Sequence, residues 1–248
     1  MTRNHLRGRR ILVTRAADDA ASWVSRLAAA GALPIALPCL AVEPISDSDT
    51  RRRLIEALRD TEWLLLTSPR GARAAGQLLD GAELSTAVSI GVVGPATART
   101  ARRVFSRVDL VAAEKTSAGL ARELVRSRHA AVGSVAPRVV IAASTLARDA
   151  GAAILRTAGW DVTAIAVYRT VPVPAVALRR DLVADGVEVI VLASPSAVTG
   201  LLHQANVPAS IRIITIGPTT SRAAIAAGLT VAGEAAEPTF EGIVEAIA

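Results

Sequence analysis

The segment GPTT at 217–220 closes the apolar run IRIITI, and GPAT at 94–97 closes SIGVV. Glycine permits an unusual turn and proline suits the first position of a helix, so each segment reads as a strand passing into a helix. In the first, Thr219 can cap the helix and Thr220 can present a hydroxyl in its first turn; Thr97 holds the matching place in the second. Free amides and a hydroxyl at such a corner can hold a carboxylate without a charged side chain, or can serve only as a cap. Two more exits carry serines: TSPRG at 67–71 contributes Ser68, and ASPSAV at 193–198 contributes Ser194 and Ser196. Each serine can donate to a ligand carboxylate or cap its own helix.

Arg15, Arg70, Arg148 and Arg169 stand near these exits, and Arg222 follows the double threonine. Each is a solvated surface charge or a source of paired, charge-assisted hydrogen bonds to a carboxylate. Tyr168 is the only tyrosine. Its phenol can hydrogen-bond a ligand hydroxyl or a leaving group, or its ring can pack at a core edge. His5, His129 and His203 are scattered and Cys39 is the lone cysteine, so no metal site, disulfide framework or nucleophile–base triad is legible. Neither glycine segment has the spacing of a Walker loop or of GxGxxG, which argues against a nucleotide enzyme.

Those corners need elements to position them. Short apolar runs at 11–14, 63–67, 89–93, 107–111, 139–143, 187–193 and 211–216 alternate with small-residue amphipathic stretches. That alternation predicts an α/β architecture with parallel strands, whose exits all lie at one edge of a sheet. Trp23 and Leu27, four positions apart, predict a buried helix face. The chain also repeats itself: residues 11–44 match 139–172 at an offset of 128, pairing Leu27 with Leu155 and Gly31 with Gly159. Ser68-Pro69 then matches Ser194-Pro195, and GPAT matches GPTT. Duplication alone leaves two partitions open, sequential halves meeting near 134–137 or domains exchanged across the extended stretches PCLAVEP and AVYRTVPVP.

A chain of 248 residues, 51% hydrophobic, can fill one large core or two smaller ones. An aromatic fraction of 2% argues against a nucleic-acid stacking surface, and a formal charge of +6 does not by itself imply DNA binding. The basic set is almost all arginine, Lys115 being the one lysine. No run is long enough to span a membrane and the basic start lacks a signal-peptide core, so a soluble cytoplasmic protein is expected.

The runs ILVTR (11–15), LLLTSPRGA (64–72), IGVVGPAT (90–97), AVYRTVP (166–172), VLASPSAV (191–198), IGPTTSRA (216–223) and PTFEGIVEAI (238–247) together resemble the uroporphyrinogen-III synthase family. The resemblance implies two doubly wound, flavodoxin-like parallel-sheet domains in a bilobed arrangement with two extended connections. One domain would combine 1–38 with 170–248, the other would hold 45–165, and 39–44 and 166–169 would connect them. It implies a cofactor-independent, metal-free lyase that closes hydroxymethylbilane with loss of water and inversion of ring D, acting in a cleft between lobes. The implied substrate is a linear tetrapyrrole bearing many carboxylates, bound by a monomer that contacts the preceding pathway enzyme transiently and takes no nucleic acid or membrane. Tyr168 would assist departure of the hydroxyl. Thr14, Arg15, Ser68, Thr97, Ser144, Arg148, Ser194, Ser196, Thr219 and Thr220, with the amides near Gly94 and Gly217, would hold carboxylates. A non-catalytic tetrapyrrole-binding or regulatory protein is the alternative reading. The chain departs from the family pattern at AASTLAR, which lacks a glycine, and at TSPRGA, where asparagine is more frequent.

Overall fold

Valine, isoleucine and leucine runs buried on both faces form parallel strands, and the alanine-rich stretches between them lie over the sheets as helices. The computed structural model describes residues 4–128, 136–145 and 150–248. After a short 3-10 turn (Asn4–Leu6) come β1 (Arg10–Val13), α1 (Ala17–Ala29), β2 (Leu33–Ala36) and β3 (Leu40–Pro44). Then come α2 (Ser48–Arg59), β4 (Trp63–Leu66), α3 (Pro69–Leu79), β5 (Ser89–Val92), α4 (Pro95–Phe105), β6 (Leu110–Val111), α5 (Ser117–Arg128) and β7 (Arg138–Ser144). The remainder holds α6 (Ala150–Thr157), β8 (Asp161–Pro172), β9 (Arg180–Asp181), β10 (Val189–Leu192), α7 (Pro195–Gln204), β11 (Ala205–Asn206), β12 (Arg212–Thr215), α8 (Pro218–Ala226), β13 (Val231–Glu234) and α9 (Phe240–Ile247). Among the described residues no helix is long and apolar enough to cross a membrane.

Two compact units result, Met1–Val42 with Val171–Ala248, and Glu43–Thr170. The first contains the parallel sheet β2-β1-β10-β12-β13. The second contains β3-β8-β7-β4-β5-β6, parallel from β8 to β6. Taken in chain order, the strands of the first sheet lie 2-1-3-4-5, the arrangement of a doubly wound fold whose switch point falls between β1 and β10. The second sheet repeats this order when counting starts at β7 and β8 and continues through β4, β5 and β6. Each sheet therefore draws its first two strands from one half of the duplication and its last three from the other. The segments expected as extended connections are largely strand, in β3 and β8, because the ladder satisfies their backbone groups; Ile45 N, for example, donates to Val167 O at 2.9 Å. The expected run at 107–111 forms strand only at Leu110–Val111; ahead of it Asp109 N donates to Ile90 O at 2.9 Å, and the Arg107 guanidinium donates to Ser85 O and Val88 O at 2.6 Å.

Helices cover both faces of each sheet. In β1, Ile11 and Val13 pack with Trp23 and Leu27 of α1 and Ile243 of α9, while Leu12 faces Val198 and Leu201 of α7. This is the period-two alternation of a strand sandwiched between helices. The second unit is built alike: Leu64 and Leu66 meet α2, α3 and α4, and Leu65 meets Leu120, Leu124 and Leu155. The duplicated helix ends superpose in detail. Leu27 and Leu155 are both fully buried, Gly31 and Gly159 both take positive φ (87° and 82°), and Ala32 N→Leu27 O (3.1 Å) matches Trp160 N→Leu155 O (3.0 Å). Glycine is required at these two turns, where a side chain would be strained.

Cys39 sits where β2 has ended, its amide on Thr14 O at 3.2 Å and its carbonyl receiving Val173 N at 3.0 Å. Burial pushes its thiol from an ordinary value near 9 up to about 12, against a smaller opposing effect of the Gln204 amide. A raised thiol pKa means that stability is unaffected by this group below about pH 9 and falls as pH rises from there toward 12. We expect iodoacetamide at pH 8 to leave Cys39 unmodified in the folded chain and to alkylate it fully in urea, as read by mass spectrometry.

Candidate functional site

Because the five strands of the first sheet, and those from β8 to β6 in the second, run parallel, the exits within each set share one edge. At two of those exits serine precedes proline, and both serines are helix caps. Ser68 and Ser194 take extended backbone, and their hydroxyls accept from Gly71 N at 3.0 Å and Ala197 N at 3.3 Å. Of the two uses open to them in sequence, capping is realised. Ser196, in the first turn of α7, is half-buried and has no hydrogen-bond partner among the described residues.

At the Gly-Pro exits the proline takes the first helical position, which moves the cap back to Gly94 and Gly217, residues with no side chain to offer. Thr219 therefore does not cap α8: it is exposed in the first turn, and its hydroxyl accepts from Arg222 at 3.5 Å. Thr97 and Thr220 behave differently. Each is 2% exposed, and among the described residues neither hydroxyl has a hydrogen-bond partner. A buried hydroxyl left alone costs about 1–3 kcal/mol, so native chains rarely keep one without a ligand or water to satisfy it. Here the cost is incurred at two equivalent positions.

Tyr168 is brought to the exit of β4 by a β-bulge. The β7/β8 ladder pairs Ala143 with Ala166, then skips Val167 so that Ser144 faces Tyr168. The skipped residue places Val167 and Tyr168 against the same core, re-aiming the tyrosine toward α3. There its phenol lies 3.3 Å from Ser68 Oγ. Gly71 makes the room, since a Cβ on it would stand 3.2 Å from Ala142 O, 3.3 Å from Ser68 Oγ and 3.7 Å from Tyr168 Cε1. Ser144, at the end of β7, is half-buried beside this group.

Other expected residues are engaged elsewhere. Thr14 Oγ1 is fully buried and donates to Val191 O at 2.7 Å, tying β1 to β10. Arg15 lies over the Trp23 ring at 4.7 Å and 3.9 Å from Asp19, anchored along α1. Arg169 pairs with Glu43 at 2.9 Å. Arg148 and His129 lie outside the described residues. His5 and His203 bond the carbonyls of Val244 (3.1 Å) and Val173 (2.7 Å), and among the described residues no acidic, histidine or cysteine cluster could hold a metal ion. Sequence reasoning missed a polar chain beside Thr220: Thr215 Oγ1 lies 2.7 Å from Ser221 Oγ, which donates to Glu234. Only the β12/β13 pairing, with its shifted register, brings Glu234 there.

The concavity lined by His5, Arg26, Phe240 and Glu241 lies between α1 and α9 and contains none of these strand-end residues. The strand ends of each unit are the better candidates: Thr97, the uncapped start of α4 and the Ser68–Tyr168 pair in one unit, Thr220 and the uncapped start of α8 in the other, the two threonine hydroxyls having no partner among the described residues. They offer neutral donors for carboxylates and one phenol for a leaving oxygen.

Comparison with known proteins agrees on the family. The chain is 28% identical over 231 residues to the porphyrin biosynthesis protein HemD of Ruminiclostridium josui, covering 88% of this chain and 44% of that protein. It is 32% identical over 117 residues to the uroporphyrinogen-III synthase of Synechococcus elongatus, covering 46% and 44%. The chain thus spans under half the length of these curated relatives. Its fold is similar to a crystal structure of a mutant uroporphyrinogen III synthase from Thermus thermophilus (TM-score 0.53, 15% identity, 96% of each chain). It is similar also to the uroporphyrinogen-III synthetase of Helicobacter pylori (TM-score 0.50, 16% identity, 96% of this chain and 97% of that one). Residues 21–245 match the family model for uroporphyrinogen-III synthase HemD, and the chain belongs to that family.

Proposed function

We propose that the chain closes hydroxymethylbilane to uroporphyrinogen III, with loss of water and inversion of ring D, and needs no cofactor to do so. The observation that carries this reading is the matched pair of buried hydroxyls, Thr97 and Thr220, without partners among the described residues and set at helix starts that glycine leaves uncapped. Acetate and propionate groups on the substrate supply the acceptors these donors lack.

The chemistry asks little covalent work of the protein. The terminal hydroxyl leaves as water while the pyrrole nitrogen lone pair forms the azafulvene, and an electron-rich pyrrole carbon then attacks it to give the spiro intermediate. Fragmentation and a second closure complete the inverted ring. Holding a flexible chain in the spiro-forming geometry supplies much of the rate, because orientation alone is worth about 7–11 kcal/mol in well-aligned reactions. Tyr168 assists the first step. The Ser68 oxygen already accepts from Gly71 N, which favours Ser68 O–H as donor to the phenol and leaves the phenolic proton for the departing hydroxyl.

Freshly generated hydroxymethylbilane, supplied to purified protein without metal or nucleotide, tests the proposal by resolution of the product isomers. Enzyme-dependent type III isomer supports it; type I isomer alone, at the uncatalysed rate, sinks it and favours a binding protein. A second expectation concerns the threonines. Thr97→Val and Thr220→Val should each hold or raise stability by about 1 kcal/mol, because an unsatisfied hydroxyl is removed. Each should raise KM about tenfold, equivalent to about 1.4 kcal/mol. Urea unfolding and steady-state kinetics on the same preparations measure both; a stability loss with unchanged KM would assign the hydroxyls to the fold.

A further inference from the structure

The two Gly-Pro corners are built on one backbone plan but carry different charges. Ala112 N→Val92 O and Ala235 N→Thr215 O both measure 2.9 Å, and Gly119 N→Thr116 Oγ1 (2.9 Å) matches Gly242 N→Thr239 Oγ1 (3.0 Å). All these pairs share one offset, and it places Lys115 opposite Pro238. The stem of Lys115 lies across the α4 corner: a Cβ on Gly94 would meet its Cγ at 3.4 Å, its Cβ at 3.7 Å and its Cδ at 3.9 Å. The side chain is exposed and makes no ion pair among the described residues. The neighbouring acid is already engaged, Glu114 accepting from Arg122 at 2.6 Å and from Thr116 at 2.9 Å.

At the α8 corner the pattern is reversed. Thr215, Ser221 and Glu234 bring a carboxylate to the first turn, where the matching places near α4 hold Val92, Ala98 and Val111. Arg222 and Arg99 occupy equivalent positions in the two helices and so do not distinguish them. A carboxylate arriving at α4 meets an ammonium; one arriving at α8 meets like charge. Lysine also suits the task, because a point charge on a flexible stem complements a site whose directional donors are a hydroxyl and backbone amides.

We propose that Lys115 holds one substrate carboxylate against the Thr97 hydroxyl and the uncapped amides of α4, making this the stronger of the two duplicated anion corners. The assignment rests on the reading of the strand ends as carboxylate sites, and the substrate's identity enters only through the kinetics. Lys115→Met should weaken binding of uroporphyrin III, followed by its fluorescence, about tenfold, and Lys115→Arg should recover most of that loss. Because Lys115 and Thr97 would grip one carboxylate, Lys115→Met with Thr97→Val should lose less than the sum of the single effects, whereas its combination with Thr220→Val should be additive. In turnover, Lys115→Met should raise KM about tenfold and leave kcat within about twofold, as expected for uniform binding lost.

Wild-type affinity for uroporphyrin III in Lys115→Met overturns the assignment, as does a wild-type chain that does not bind uroporphyrin III at all. Additivity with Thr97→Val overturns the shared carboxylate. If no type III isomer forms but the binding pattern holds, the catalytic reading falls while Lys115 keeps its carboxylate.

Discussion

Tyr168→Phe is expected to lower kcat about 100-fold, the lower bound of what a positioned proton donor supplies. The ring and its packing against the α3 core survive the change, and among the described residues the one hydrogen bond the phenol loses is that to Ser68. That loss costs about 0.5–1.5 kcal/mol of stability, a small fraction of what the rate loses. Unfolding and turnover should therefore separate: Tm shifts by a few degrees, about 2–4 °C per kcal/mol for a chain of this size, while kcat falls by two orders of magnitude. Turnover at the wild-type rate would remove Tyr168 from the reaction. Ser68→Ala should show a weaker version of the same pattern, complicated by loss of the α3 cap.

Gly200→Ala should produce the largest stability loss of any glycine-to-alanine change in the described helices. Helix propensity alone predicts the opposite sign, since alanine is favoured over glycine by about 1 kcal/mol in a helix interior. Sterics decide. A Cβ on Gly200 would lie 1.8 Å from Cys39 O and 2.8 Å from Cys39 C, backbone atoms that Val173 N and Thr14 O hold in place. Overpacking of this kind costs about 3 kcal/mol, which outweighs the propensity gain and lowers Tm by about 6–12 °C. Gly217→Ala provides the contrast, because nothing lies within 4 Å of its added methyl and its backbone is extended. Thermal unfolding of the two variants side by side checks the prediction; equal Tm values would mean that α7 can withdraw from the Cys39 segment freely.

Much of the fold was legible because it is written locally. The apolar runs, the Ser-Pro and Gly-Pro exits and the repeat at 11–44 and 139–172 identify strands, helix starts and a duplicated α/β plan from residues adjacent in the chain. Thr219 shows the limit of that reading: Pro218 shifted the cap by two positions, and a residue suited to capping became an exposed first-turn side chain. PCLAVEP and AVYRTVPVP are extended, as read, in β3 and β8, but that these two strands lie side by side in one sheet is legible in neither stretch.

The sequence by itself determined the element types, the duplication, the family motifs and the concentration of hydroxyls at strand ends, because these depend on period, propensity and proline or glycine at fixed local offsets. Only the tertiary structure decided which hydroxyls are spent and which are free. Ser68 reaches Tyr168 across 100 residues through a bulge that no local pattern announces, Thr14 is consumed by Val191, and Thr97 and Thr220 are buried without partners among the described residues. Hydrogen-bond partnership is set by strand register and by which helix lies over which sheet, and those are agreements between distant segments that no short stretch of chain contains.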